Sequence, residues 1–214
     1  MSDNLKKLAS EVVSRLEDIY PDAPCALEYN GEPWKLLVMA RLSAQCTDAR
    51  VNIVCRELFK KYPTPEALAA GELSDIEKIV YPCGLYRVKS AEIKEECRIL
   101  TEVYDGILPD EMDELLKFPG VGRKVANLLL GDIYKKPAIV TDTHCIRISG
   151  RLGLTPYGEK NPVRVERILV SLVDKEKQSD FCHRLVMFGR DTCKAKGPLC
   201  DECRLSDLCK NKNA

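Results

Sequence analysis

Residues 118–130 read FPGVGRKVANLLL. An apolar run of helical character begins at Val125, behind a proline, two glycines and the basic pair Arg123 and Lys124. The residues just before, DEMDELLKF at 110–118, have the spacing of a short helix. Helix, glycine turn and helix together make a helix–hairpin–helix. Glycine lets the turn pass through conformations that a Cβ forbids, and lets backbone N–H groups approach a ligand closely. At a helix start those groups carry partial positive charge and suit a phosphate. Binding of that kind reads a nucleic-acid backbone rather than a base sequence. An ordinary turn between helices, capped by glycine, is the alternative.

The lysine discriminates between the two. A helix N-terminus disfavours cations, so Lys124 in the first turn needs a reason. A bound phosphate would balance the helix end. Beside uncompensated positive character, a lysine amine is also more readily neutral and nucleophilic. Lys124 is therefore a candidate Schiff-base former, set against the usual solvated surface lysine. Its natural partner is Asp142 in VTDTHCIRISG, residues 140–150. Asp142 stands where an extended segment meets a helix, a position that also suits an N-cap. A carboxylate there could stabilise a cationic intermediate or move protons, and the two roles can coexist. His144 and His183 are the only histidines. His144, close to Asp142, is a candidate substrate contact, whereas His183 lies on an apolar helix and reads as structural.

Around this centre the chain is helical throughout. Leu5, Leu8, Val12, Leu16 and Ile19 share one face of a first helix, which Pro21 ends. Pro33 opens a segment apolar nearly all round, WKLLVMARLSAQ, the pattern of a central buried helix. Thr47-Asp48, Thr64-Pro65 and Asn161-Pro162 read as helix starts. Ser74-Asp75-Ile76-Glu77 fits a capping box. A long helix is expected from about Leu85 to Tyr104, and others over 143–152, 161–174 and 178–190. Residues 137–140 read as extended, and the tail after Cys209 as disordered. No alternating strand pattern of useful length appears. The fold class is all-α, in two helical lobes.

The chain has 214 residues and a formal net charge of zero. The charge is unevenly spread. Residues 1–118 hold 15 Lys and Arg against 22 Asp and Glu, while residues 119–214 hold 18 against 11. The C-terminal part could present a basic face to phosphates, unless folding intermixes the two parts. No apolar stretch approaches the ~20 residues of a membrane span. The N-terminus lacks a signal-peptide pattern, so a cytoplasmic protein is expected, associated with the nucleoid if prokaryotic.

Eleven cysteines, an odd number, argue against a disulfide framework. Four of them, Cys193, Cys200, Cys203 and Cys209, fall within CKAKGPLCDECRLSDLC. A thiolate cluster this dense reads as a metal site; ligand type alone leaves zinc and an iron–sulfur cluster both open. The other seven are scattered through apolar helical context and read as small buried hydrophobes.

Taken jointly, LSAQCTD (42–48), GLYRVKS (84–90), FPGVGRKVAN (118–127), VTDTH (140–144) and the four-cysteine spacing resemble the endonuclease III family. Its members are bifunctional DNA glycosylase/AP lyases of the helix–hairpin–helix superfamily. The stretches span nearly the whole chain in the expected order. The resemblance implies a structural [4Fe–4S] cluster on Cys193, Cys200, Cys203 and Cys209, with Lys124 and Asp142 as the catalytic pair. It implies that Gln45 fills the gap left by an everted nucleotide and that Leu85 wedges into the opposite strand. The hairpin Gly120, Val121 and Gly122, with His144 and the loop lysines Lys194 and Lys196, would meet DNA. It further implies a six-helix lobe over 25–136, with the helix–hairpin–helix at about 111–134. A cluster lobe would comprise 1–24 and 137–214, with the cluster loop at 193–209 and DNA in a groove between the lobes. The implied activity is excision of oxidised pyrimidines from damaged double-stranded DNA, then strand cleavage 3′ to the abasic site by β-elimination. A damaged base must leave the stack before chemistry reaches its sugar, and side chains must fill the hole. A monomer is expected, with no membrane partner.

Two residues depart from the pattern. Phe188 stands where many relatives have histidine, and Arg41 is charged on an otherwise apolar helix. Three rivals use the same features. An adenine-type monofunctional glycosylase would lack the lysine and carry a glutamate near position 41. A non-catalytic DNA-binding module with a redox cluster would not need Lys124 or Asp142. A zinc-stapled interaction protein would not bind DNA at all.

Overall fold

A computed structural model of the protein describes residues 3–212. Among them there are eleven α-helices, two short 3₁₀ turns and no strand. The chain divides into two compact units, Cys25–Tyr134 and Met1–Pro24 with Lys135–Ala214.

The unit Cys25–Tyr134 is built round α2 (Pro33–Leu42), which buries Trp34, Leu36, Leu37, Val38, Met39, Ala40 and Leu42. Full burial of each large apolar side chain contributes roughly 1.5–3 kcal/mol, so this ten-residue helix anchors the unit. Helices α3 (Asp48–Lys61), α6 (Tyr86–Glu102) and α8 (Arg123–Asp132) pack on it. The short α4 (Pro65–Ala70) and α5 (Leu73–Val80) cover the other side of α6, and α7 (Met112–Leu115) rests on α8. Thr47 and Thr64 cap α3 and α4: their hydroxyls accept from the N–H groups of Arg50 (3.4 Å) and Ala67 (3.2 Å). Ser74 does not cap α5. That helix starts at Leu73 behind Glu72, which makes no side-chain cap, because the turn closes on the Glu72 carbonyl, accepting from Asp75 and Ile76.

In the other unit, α1 (Asp3–Ile19) and α9 (Thr143–Leu152) both pack on α11 (Gln178–Asp191). Ala9, Val12, Val13 and Leu16 form the buried stripe of α1. Helix α10 (Pro162–Val170) is capped by Asn161, whose Oδ1 accepts from Val163 (3.0 Å) and Arg164 (3.2 Å). Disorder was expected after Cys209, yet Asn211 is pinned to α9. Its N–H donates to the Arg151 carbonyl (3.0 Å) and its Nδ2 to the Gly150 carbonyl (3.2 Å). Residues 213–214 of that tail lie outside the described residues. No helix is long and apolar enough to cross a membrane among the described residues.

Candidate active site and cysteine cluster

The hairpin takes the form the glycines allow. Gly120 has φ +72°, and Gly122 is the extended N-cap of α8. Gly120 is a glycine for a second reason: a Cβ there would collide with the Arg41 side chain and come within 3.3 Å of Glu92 Oε2. Arg41 pairs with Glu92 of α6, and both side chains are largely buried. The charge on the apolar helix therefore has an account. Arg41 reaches across to α6 and supports the hairpin from beneath. Val121 is buried and fastens the turn, and its N–H donates to the Phe118 carbonyl at 3.2 Å.

Helix α8 then begins with no acidic residue in its first turn and no side-chain cap. Lys124 stands in that turn and is exposed. The polar N–H end of the helix, the flanking glycines and an exposed amine thus coincide at one place.

Gln45 and Leu85 belong to the same unit and share an unusual backbone. Gln45 has φ +55° and Leu85 φ +47°, the left-handed region that side chains enter only at a cost of ~1–2 kcal/mol. Leu85 is 58% exposed, and Gln45 is exposed too. A large apolar side chain held outward in a strained conformation makes Leu85 a candidate functional position. The long helix begins one residue later than its pattern suggested, at Tyr86, because Leu85 is bent out of helical geometry to become its N-cap.

In the other unit, Asp142 is the N-cap of α9, and its Oδ1 accepts the Cys145 N–H at 2.7 Å. The side chain is half-buried. One carboxylate oxygen thus fixes the group and leaves the other without a hydrogen bond among the described residues. His144 is half-buried against α11, where a Cβ on Gly189 would collide with its ring, and its Nδ1 lies 3.1 Å from Arg147 Nη2. That packing gives His144 a structural place besides any contact with substrate.

Cys193, Cys200, Cys203 and Cys209 line one cavity, with Phe188 as part of its apolar wall. All four are free thiols. Burial pushes the thiols of Cys203 and Cys209 up, and the neighbouring sulfurs of the set push them further. Polar N–H groups also point at the sulfurs: Leu205 N–H lies 3.4 Å from Cys203 Sγ, and Arg151 Nη1 3.5 Å from Cys193 Sγ. Four converging thiols in an apolar pocket, with N–H donors aimed at sulfur, suit a metal centre bound by thiolates. Two arginines of α9 secure this loop by its backbone. Arg147 donates to the Cys193 carbonyl (3.0 Å), and Arg151 to those of Lys194 (2.7 Å) and Ala195 (3.4 Å). Lys194 and Lys196 are exposed. Sequence reasoning did not single out Arg147 and Arg151. Their four-residue spacing on α9 was the available signal, since it puts both on one face of the helix.

Comparison with known proteins agrees with this geometry. Residues 38–175 match the model of the HhH-GPD superfamily, described as base excision DNA repair proteins. The endonuclease III of Synechocystis sp. is 42% identical over the whole of both chains. A non-covalent endonuclease III–DNA complex superposes with a TM-score of 0.91 at 40% identity, covering 96% of this chain and 95% of that one. A trapped endonuclease III–DNA covalent intermediate superposes with a TM-score of 0.90, also at 40% identity, covering 96% of each chain. Similarity over the full length, together with the hairpin, the exposed lysine and the capped aspartate, means that this chain belongs to the endonuclease III family of base excision repair enzymes.

Proposed function

We propose that this protein excises oxidised pyrimidines from duplex DNA through a Schiff base on Lys124 and then cleaves the strand 3′ to the abasic site. As a member of its family it is a DNA glycosylase/AP lyase. The residue assignments and the lesion class are our reading. The observation that carries it is Lys124, exposed in the first turn of a helix that has neither an acidic residue nor a side-chain cap there. The trapped covalent DNA intermediate of a similar endonuclease III supports a covalent route.

The hairpin Gly120–Val121–Gly122 meets a backbone phosphate through the N–H groups of Gly120 and Gly122, the Val121 N–H being spent on Phe118, with the exposed Lys194 and Lys196 meeting other phosphates. The damaged nucleotide leaves the stack; Gln45 occupies the gap and Leu85 enters the opposite strand. The Lys124 amine attacks C1′, and the glycosidic bond breaks with its electron pair going to the departing base. Asp142 stabilises the positive charge developing on the sugar and accepts the proton that Lys124 releases. Ring opening leaves an iminium between Lys124 Nζ and C1′. Loss of a C2′ proton then expels the 3′ phosphate, the β-elimination. Hydrolysis of the imine frees the lysine.

The four cysteines would hold a [4Fe–4S] cluster, which supplies a structural cross-link for the loop 193–209. Equal amounts of iron and inorganic sulfide, with visible charge-transfer absorbance, would distinguish it from zinc.

The test of the catalytic reading is borohydride trapping on a duplex with one thymine glycol. Wild type forms a covalent adduct and Lys124→Gln forms none. Base release without an adduct in wild type would indicate a water-using glycosylase and reduce Lys124 to a phosphate contact.

A further inference from the structure

Lys89 is among the largest fully buried side chains of the described residues, at 0% exposure. Its position is not an accident of helix phase. On α6 it shares the buried face with Ile93, Glu96, Cys97 and Leu100. Burying a lysine is costly unless its charge is compensated, and no carboxylate pairs with it among the described residues. Its ammonium instead donates to two backbone carbonyls, Cys83 at 2.7 Å and Leu42 at 2.9 Å. Its own backbone N–H donates to a third, Leu85, at 3.0 Å.

Those carbonyls belong to two separate loops. Leu42 is the last residue of α2, and Gln45 follows it by three positions. Cys83 closes the 3₁₀ turn Tyr81–Cys83, and Leu85 follows it by two. The loops lie 47 and 6 residues from Lys89 along the chain, so nothing local obliges them to meet. One buried ammonium joins the roots of both. The residues just beyond each root, Gln45 and Leu85, are exposed and left-handed. The groups facing the ammonium are the thiols of Cys46 and Cys83 and, with the same sign of charge, Arg41.

We propose that Lys89 is a positioning residue for damage recognition. By bridging the Leu42 and Cys83 carbonyls it holds Gln45 and Leu85 at a fixed separation and in the strained conformation that inserts them into the duplex. The inference rests on the insertion roles proposed above for those two residues. Exposed loops with two left-handed non-glycine residues would otherwise relax, and each insertion event would have to restore their geometry. With the ammonium in place that ordering is already present before DNA arrives.

The experiment is a double-mutant cycle. Affinity is measured for a duplex carrying a tetrahydrofuran abasic analogue, with 2-aminopurine opposite it as a fluorescent reporter of unstacking. Lys89→Met is compared with wild type, and again in a Gln45→Ala/Leu85→Ala background. In the wild-type background, Lys89→Met is expected to weaken abasic-duplex affinity on the order of tenfold. It should also reduce the 2-aminopurine signal, with affinity for undamaged duplex within about twofold. In the Gln45→Ala/Leu85→Ala background the same change should have no further effect. Equal losses in both backgrounds would mean general destabilisation and overturn the proposal, as would wild-type behaviour of Lys89→Met. If instead Gln45→Ala/Leu85→Ala binds the abasic duplex like wild type, the insertion reading itself fails, a separately recognisable result. Should Lys89→Met not fold by circular dichroism, Lys89→Gln, which keeps a polar donor on a shorter arm, takes the same cycle.

Discussion

At the scale of single residues, Asp142 caps α9 with one oxygen and, in the mechanism proposed above, serves the reaction with the other. Oδ1 caps α9 through Cys145 N–H, and the other oxygen has no hydrogen bond among the described residues. The two tasks separate by mutation. Asp142→Asn keeps a capping oxygen, so its melting temperature should stay close to wild type, while base release falls by roughly 10²–10⁴-fold with loss of the charge. Asp142→Ala loses both, and thermal denaturation should show a further cost of about 0.5–2 kcal/mol. If the asparagine variant kept wild-type turnover, the carboxylate would be a cap and nothing more. The cap was legible in the sequence, because it depends only on the residues beside it. Lys89 was not. A lysine on a mixed helix is ordinarily solvated, and its acceptors, Leu42 and Cys83, lie in other segments. The one local hint was phase, since Lys89 falls four residues before Ile93 and seven before Glu96 on the buried face.

At the scale of elements, α6 carries a second buried charge problem. Both oxygens of Glu96 are buried without a hydrogen bond. Burial holds its carboxyl well above the usual range; Arg41 opposes that shift and Glu92 adds to it. A carboxyl whose folded pKa is raised favours folding most when protonated. Its contribution is complete below the unfolded value, about 4.3, and is lost as pH rises towards the folded one. Glu96→Gln does not titrate. Its melting temperature relative to wild type should therefore climb between pH 5 and pH 8, and a flat difference across that range would contradict the assignment. The hairpin offers a sharper perturbation. Gly120→Ala places a Cβ at φ +72°, costing about 1–2 kcal/mol in conformation alone, and drives it into Arg41. In a protein of this size each kcal/mol lowers the melting temperature by about 2–4 °C, so a drop of several degrees is expected with weaker DNA binding. The glycine turn was plain in the sequence, but its support was not, since Glu92 lies 51 residues from Arg41. Ser74 illustrates the opposite failure: its local pattern was right for a capping box, yet the turn had already begun at Leu73.

At the scale of the whole molecule, the all-α class followed from helical periodicity and from caps that recur at Thr47, Thr64, Asp142 and Asn161. The cysteine spacing announced a metal site, but not the arginines that hold its loop. If the four thiols hold the cluster proposed above, removing one of them tests that site as a unit. Cys203→Ser is expected to lose iron and visible absorbance, and with them affinity for duplex DNA. The hairpin unit, Cys25–Tyr134, has its own core round α2 and should keep its helical circular dichroism. The surplus of 18 Lys and Arg over 11 Asp and Glu in residues 119–214 predicts binding that weakens steeply with salt. If Lys194 and Lys196 each meet a phosphate, replacing both with alanine should lower the slope of log affinity against log salt by about 2. An unchanged slope would remove them from the interface.

The clamp on that loop bears on how the protein tolerates change. Arg147 and Arg151 grip the carbonyls of Cys193, Lys194 and Ala195, which every amino acid possesses, while the side chains of Lys194 and Ala195 stay in solvent. Substitutions at 194 and 195 leave the grip intact and can retune DNA affinity alone. A residue inserted or deleted between Cys193 and Ala195 would instead shift the gripped carbonyls off the guanidinium groups, and any change of length before Cys200 would alter how the four thiols line their shared cavity. Diversification of this segment is therefore open to point mutation and closed to changes of length.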